Sequence, residues 1–196
     1  LIKPNPMDKC LENRVNSHLE AKDIIAKKAF DLIKDNTTIY LDASTINLLL
    51  AKILASSNLT LNIVSNMIDI IPILVKNPKL TVISCGGIAN GTLNAFVGAP
   101  TMEFIRQYHF DQAFLGSSGI DLTTDCFTTF ETEDGITKKA VIESSRRVYM
   151  LMEQEKFYYF ANYKFAPLEK FSGIITEAEP STEIINLINH TEVQLI

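Results

Sequence analysis

The chain has 196 residues, 46% of them hydrophobic and 21% charged, which fits one domain, with or without an appendage, that needs no disulfide or metal staple. Its net charge of −5, with no basic run longer than the pairs at Lys27–Lys28, Lys138–Lys139 and Arg146–Arg147, argues against this chain gripping DNA by itself. The scattered cysteines Cys10, Cys85 and Cys126 exclude a C-x-x-C zinc or redox motif and point to a reducing compartment.

The start, "LIKPNPMDKCLEN", has no basic region followed by an apolar core, and the longest apolar run, near Ile70 to Val75, is far short of the roughly 20 residues of a membrane span. A cytoplasmic protein with no membrane partner is expected. A leading Leu in place of Met suggests a fragment of a longer protein.

In chain order, Asn13 to Lys34 carries Leu19, Ile25, Ala29, Leu32 and Ile33 at helical spacing and reads as a helix. "TIYL" then begins the first strand. Leu59–Val64, Leu80–Ser84, Gln112–Gly116, Arg147–Met152 and Gly173–Glu177 read as further strands. Helical patterns lie between them: "NMIDIIPILVKNP", where Pro72 fits only in a first turn, then Pro100–Gln107, Glu133–Ser144 and Ser181–Asn189. Strands alternating with helices imply crossovers and a mostly parallel sheet flanked by helices, an α/β fold with an N-terminal helical arm. Residues 1–35 are expected to form that arm and 36–196 the main domain.

Ligands of open α/β sheets bind outside the carboxyl ends of the strands. Those ends are unusually polar here: Asp42, Ser44 and Thr45; Ser65 and Asn66; Gly86, Gly87, Gly91 and Gly98; then Gly116, Ser117, Ser118, Gly119 and Asp121. Singly, each can be a helix cap or a turn glycine. Together, hydroxyls and backbone N–H groups at helix starts suit a phosphate or carboxylate. No P-loop or dinucleotide fingerprint occurs, and no cofactor is indicated. His18, His109 and His190 lack metal-ligand spacing. The aromatic run Lys156–Phe165, without a basic groove, reads as core or interface.

The motifs "TIYLDAST", "IVSN", "GGIANGTLNAFVG", "FDQAFLGSSGID", "FTTFETEDGITKKAVIESSRRV" and "EKF" follow one another as in the DeoR-family transcriptional regulators. The resemblance is to their C-terminal effector-sensing domain and runs from about Lys22 to the last strand. It implies a Rossmann-like, three-layer fold of the ribose-5-phosphate isomerase type and a phosphorylated sugar as effector. It also implies contact with DNA only through an N-terminal helix-turn-helix outside this chain, and a homo-oligomer, dimer or tetramer. Carried over by motif, Asp42, Ser44 and Thr45 fall in the first loop, where Ser44 replaces glycine and Ile46 a second threonine. Ser65 and Asn66 match the second loop, Gly86 and Gly87 the double glycine, and Gly116, Ser118, Gly119 and Asp121 the fourth loop, with Ser118 where an acid or amide is common. Lys138 matches a helix lysine suited to a phosphate or an acidic group, and Lys156 the lysine of a loop in which Tyr158 replaces glycine. On this reading the chain is a sensor with no catalytic residue. The alternative is a sugar-phosphate isomerase or deaminase of the same fold, with Asp42, Asp121 and Glu131 as candidate bases. A third reading is a binding module that has lost both ligand and DNA.

Overall fold

A computed structural model describes residues 3–4 and 16–196. Cys10 and the first residues of the helix expected from Asn13 lie outside them. The main sheet has seven strands, all parallel: β2 (Thr37–Leu41), β3 (Leu61–Ser65), β4 (Leu80–Ser84), β7 (Gln112–Gly116), β10 (Val148–Leu151), β13 (Gly173–Ile175) and β14 (Gln194–Leu195). Their spatial order is β14-β13-β10-β7-β2-β3-β4. From central β2 the chain winds outward to β4, crosses back to β7 and winds the other way. The β2–β7 junction is therefore the topological switch point, where such sheets open a crevice.

The inner strands β7 and β10 are buried along their whole length because both of their faces are covered. Ile39 and Leu41 of β2 feed one core and Tyr40 the other. Phe114 opposes Ala113 and Leu115 in the same way, and Tyr149 and Leu151 oppose Val148 and Met150. The first core is closed by α1 (Leu19–Asp31), α2 (Thr45–Ala55) and α3 (Ile71–Leu74). The second is closed by α4 (Ala99–Arg106), α5 (Thr132–Glu143) and α6 (Thr182–Ile188). Three layers result, as expected for the fold. No helix among the described residues is long and apolar enough to cross a membrane.

Two expectations need correction. The helix expected across "NMIDIIPILVKNP" is only four residues long, with Pro72 in its first turn, where a missing N–H costs no hydrogen bond. The glycine-rich stretch after β4, read as turns, holds an antiparallel hairpin, β5 (Ile88–Asn90) with β6 (Ala95–Val97). Gly87 at its base has φ +121°, and a Cβ there would meet Thr101 Oγ1 at 2.0 Å. A second small sheet, β8 (Gly119–Asp121), β9 (Cys126–Thr129) and β12 (Tyr163–Pro167), covers the second core. The aromatic run contributes to that core, with Phe157 and Phe165 buried. Two short strands, β1 (Lys3–Pro4) and β11 (Tyr159–Phe160), pair in parallel.

Candidate functional site

At the switch point β2 runs into Asp42, which is fully buried. Its N–H donates to Phe114 O at 3.1 Å, and its Oδ2 accepts from Gly116 N at 3.0 Å. Asn47, on the first turn of α2, donates through Nδ2 to Asp42 O (3.0 Å) and Phe114 O (2.8 Å). Side chains thus stitch together the two strand ends that the sheet itself leaves to diverge. Ser44 caps α2 by accepting from Asn47 N at 3.2 Å. Gly116 must be glycine, since a Cβ would stand 2.6 Å from Ser44 Cβ.

Above this junction opens a cavity of about 340 Å³. Ser44, Thr45, Gly116, Ser117 and Ser118 form one wall. Thr92 and Leu93, from the β5–β6 hairpin tip, and Phe130 and Glu131, before α5, form others. Lys138 and Asp134, one helical turn apart on α5, make the floor. Lys138 Nζ lies 2.9 Å from Asp42 Oδ2 and also pairs closely with Asp134, whose other oxygen accepts from Thr129 Oγ1 at 2.7 Å. The mouth is framed by Ser17, His18 and Lys22 from the start of the arm and by Glu153, Glu155, Lys156 and Tyr159.

Two carboxylates sharing one ammonium leave the floor with one surplus negative charge. Burial raises the Asp42 carboxyl above its ordinary range, and Lys138 only partly offsets it. Burial also opposes the Lys138 charge, but Asp134 and Asp42 more than reverse that and hold the ammonium above the ordinary lysine value. Asp42 Oδ1 is buried with no hydrogen-bond partner among the described residues. Such a floor suits hydroxyl donors. The start of α2, where the first N–H groups of a helix lack intrahelical acceptors, suits an anion together with Thr45.

Of the residues expected from sequence, the structure brings together Asp42, Ser44, Thr45, Gly116, Ser118, Lys138 and Lys156. Ser65, Asn66, Gly86, Gly87, Gly119 and Asp121 stand outside the cavity wall and act elsewhere. Ser65 Oγ donates to Leu41 O and accepts from Met67 N. Asn66 Nδ2 donates to Phe96 O, fastening the hairpin, and Thr101 Oγ1 donates to Gly86 O. Gly119 lies under Tyr159, whose carbonyl a Cβ would meet at 2.2 Å. Asp121 closes the β8–β9 turn by accepting from Thr123 and Thr124 and pairs with Lys164 at 2.8 Å. Its slight burial raises its carboxyl, but Lys164 and these hydroxyls bring it well below the usual range. Lys138, expected to suit a phosphate or an acid, faces acids of its own chain. Sequence reading missed Lys22, Thr129, Asp134 and Glu153. The four-residue spacing of Asp134 and Lys138, and the place of Lys22 on the stripe with Ile25, Ala26 and Ala29, were the available signals. Among the described residues, no cluster of His, Cys, Asp and Glu could hold a metal ion, and Cys85 and Cys126 are free thiols.

Residues 17–178 match the DeoR C terminal sensor domain. The glycerol-3-phosphate regulon repressor of Escherichia coli (strain K12) is 27% identical over 183 residues, covering 93% of this chain and 72% of the repressor. The lactose phosphotransferase system repressor of Staphylococcus epidermidis is 29% identical over 161 residues, covering 81% of this chain and 62% of that protein. Among solved structures, ribose 5-phosphate isomerase A from Methanocaldococcus jannaschii superposes with a TM-score of 0.53 at 17% identity, over 71% of this chain and 55% of the isomerase. At that identity the likeness is one of fold.

Proposed function

The chain belongs to the DeoR C-terminal sensor domains, and on that premise we propose that it binds a phosphorylated sugar in the switch-point cavity. Occupancy then biases DNA binding by a helix-turn-helix N-terminal to these residues. One observation carries the reading. All five buried charged residues among those described, Lys22, Asp42, Asp134, Lys138 and Glu153, gather at this one cavity. Burying charge is costly and does not by itself stabilise a fold. In this reading the phosphate lies at the start of α2, against Ser44, Thr45 and the Gly116–Ser118 backbone, while sugar hydroxyls donate to the carboxylates of the floor. Those carboxylates share an ammonium, an arrangement that orients acceptors rather than frees a base for proton transfer. The regulatory names of the sequence relatives support a receptor over an isomerase. The regulator acts as a homo-oligomer, because palindromic operators mirror two-fold protein symmetry.

The test is thermal unfolding against sugar mono- and bisphosphates, with Thr45→Glu beside the wild type. A carboxylate in the first turn suits the helix dipole, so the variant folds, but it repels a phosphate there. Ligand at about 100 times its Kd adds about 2.7 kcal/mol, a rise of roughly 5–10 °C for a domain of this size. A rise in the wild type that Thr45→Glu loses upholds the reading; no rise with any sugar phosphate overturns it.

A further inference from the structure

The cavity mouth joins two segments far apart in sequence. Lys22 lies on the buried face of α1, 2% exposed, with its Nζ held by Ser17 O at 2.8 Å and lying 3.6 Å from Glu153 Oε1. Glu153 is 4% exposed, and its other oxygen lies 2.6 Å from Lys156 Nζ. Burial alone would raise the Glu153 carboxyl, but Lys156 first, then a backbone N–H and last Lys22 hold it down to about 2. One carboxylate thus serves two ammoniums, one on the arm and one on the cavity wall. The exposed pair of His18 and Glu155, 3.3 Å apart, joins the same two segments with little energy of its own. The segment that begins at Glu153 goes on to hold β1 through Tyr159 and Phe160 and rests on Gly119.

We propose that Glu153 is a relay between cavity and arm. An anionic ligand group that draws Lys156 towards itself leaves Glu153 to Lys22 alone. That ion pair shortens, and the start of α1 is held more firmly against the Glu153–Phe160 segment. The relay rests on the sugar-phosphate reading for its natural trigger, but not for its test. Removing the Lys156 charge imitates the ligand's pull, so the coupling can be measured in the unliganded protein. A two-state element biased by the site is what transmission requires.

The experiment is amide hydrogen exchange across α1 in the wild type, Lys156→Met, Lys22→Met and the double variant, with far-UV circular dichroism as the check on folding. Lys156→Met should slow exchange in the first turns of α1 about tenfold, the factor supplied by drawing an ammonium about an ångström closer to a buried carboxylate. In the Lys22→Met background the same change should do nothing. Glu153→Gln offers a second route: it should speed exchange in α1 and make it insensitive to Lys156→Met. Equal effects of Lys156→Met with and without Lys22, or no effect in either, overturn the relay. Ribose 5-phosphate, glycerol 3-phosphate, fructose 6-phosphate and inorganic phosphate are then added to the wild type. Slowing at α1 by a sugar phosphate that binds upholds the relay, and binding without it overturns the relay. A coupled cycle with no binding by any sugar phosphate upholds the relay and overturns the sugar-phosphate reading instead.

Discussion

Replacing Lys138 with methionine keeps the length of the side chain and removes its charge from between two carboxylates. The Lys138, Asp42 and Asp134 side chains are 3%, 1% and 8% exposed, so water cannot take over the lost interaction. Removing one partner of a buried pair costs about 3–5 kcal/mol, out of the 5–15 kcal/mol typical of a whole domain. With a urea dependence of about 2 kcal/mol per molar, the midpoint should fall by roughly 1.5–2.5 M. Asp42→Asn should behave oppositely. Asn can still accept from Gly116 N, and Lys138 keeps Asp134, so the surplus negative charge disappears and stability should lie within about 1 kcal/mol of the wild type or above it. The pH dependence has a definite sign. Burial already raises the Asp42 carboxyl and Lys138 is what partly offsets it, so without Lys138 Asp42 moves further up, and the folded variant holds more protons and loses stability as pH rises. The deficit of Lys138→Met should therefore be smaller at about pH 5 than at about pH 8. An Asp42→Asn deficit as large as that of Lys138→Met, or a deficit independent of pH, would refute this account of the floor.

Gly116→Ala places a Cβ 2.6 Å from Ser44 Cβ, and should cost about 1–3 kcal/mol in urea unfolding while weakening any cavity ligand. Asn47→Ala strips both switch-point carbonyls of their amide donor, and a loss of about 1–3 kcal/mol is expected in the same assay. For Glu153 the folded carboxyl sits at about 2, below its ordinary value of 4.5, so its stabilisation is full above the unfolded value and is lost as pH falls through the folded one. The gap between wild type and Glu153→Gln should thus be roughly 3 kcal/mol near neutrality and close in acid. An acid titration of the two proteins followed by circular dichroism measures it.

The parallel sheet was legible from short apolar or β-branched runs: "QAFLG", buried throughout, and "LTVIS", on the sheet edge with only Leu80 buried, both match their observed spans, and Ser181 caps α6 by accepting from Ile184 N. The small antiparallel sheet was not. "GIDLTTDCFTT" has the polarity of a loop, and its hairpin turns on Asp125 at φ +51° and on the bonds from Thr123 and Thr124 to Asp121. Half of the site could be read by rule, because a strand's carboxyl end fixes where Asp42, Ser44, Thr45, Gly116 and Ser118 come to lie. The charged half could not. A lysine or an acid on a helix reads as solvated, and only tertiary packing tells Lys22, Asp134 and Glu153 from their exposed neighbours. Lys22 was the most accessible of these, standing on a stripe otherwise filled by Ile25, Ala26 and Ala29.

If the floor charges exist for a ligand and not for the fold, removing them together should be harmless where removing one is not. Asp42→Asn, Thr129→Val, Asp134→Leu and Lys138→Met in one protein leave no charge on the floor, keep an acceptor for Gly116 N and remove the hydroxyl that Asp134 accepted. Buried ion pairs replaced by apolar groups of similar size are often neutral or stabilising by about 1–4 kcal/mol. The combined variant should thus recover most of the roughly 3–5 kcal/mol lost in Lys138→Met alone, a large departure from additivity among touching side chains. It should also lose every thermal shift that sugar phosphates give the wild type. A combined variant no more stable than Lys138→Met would mean that the charges hold the switch point together. In that event their gathering around the cavity would be a structural need and would carry no argument about a ligand.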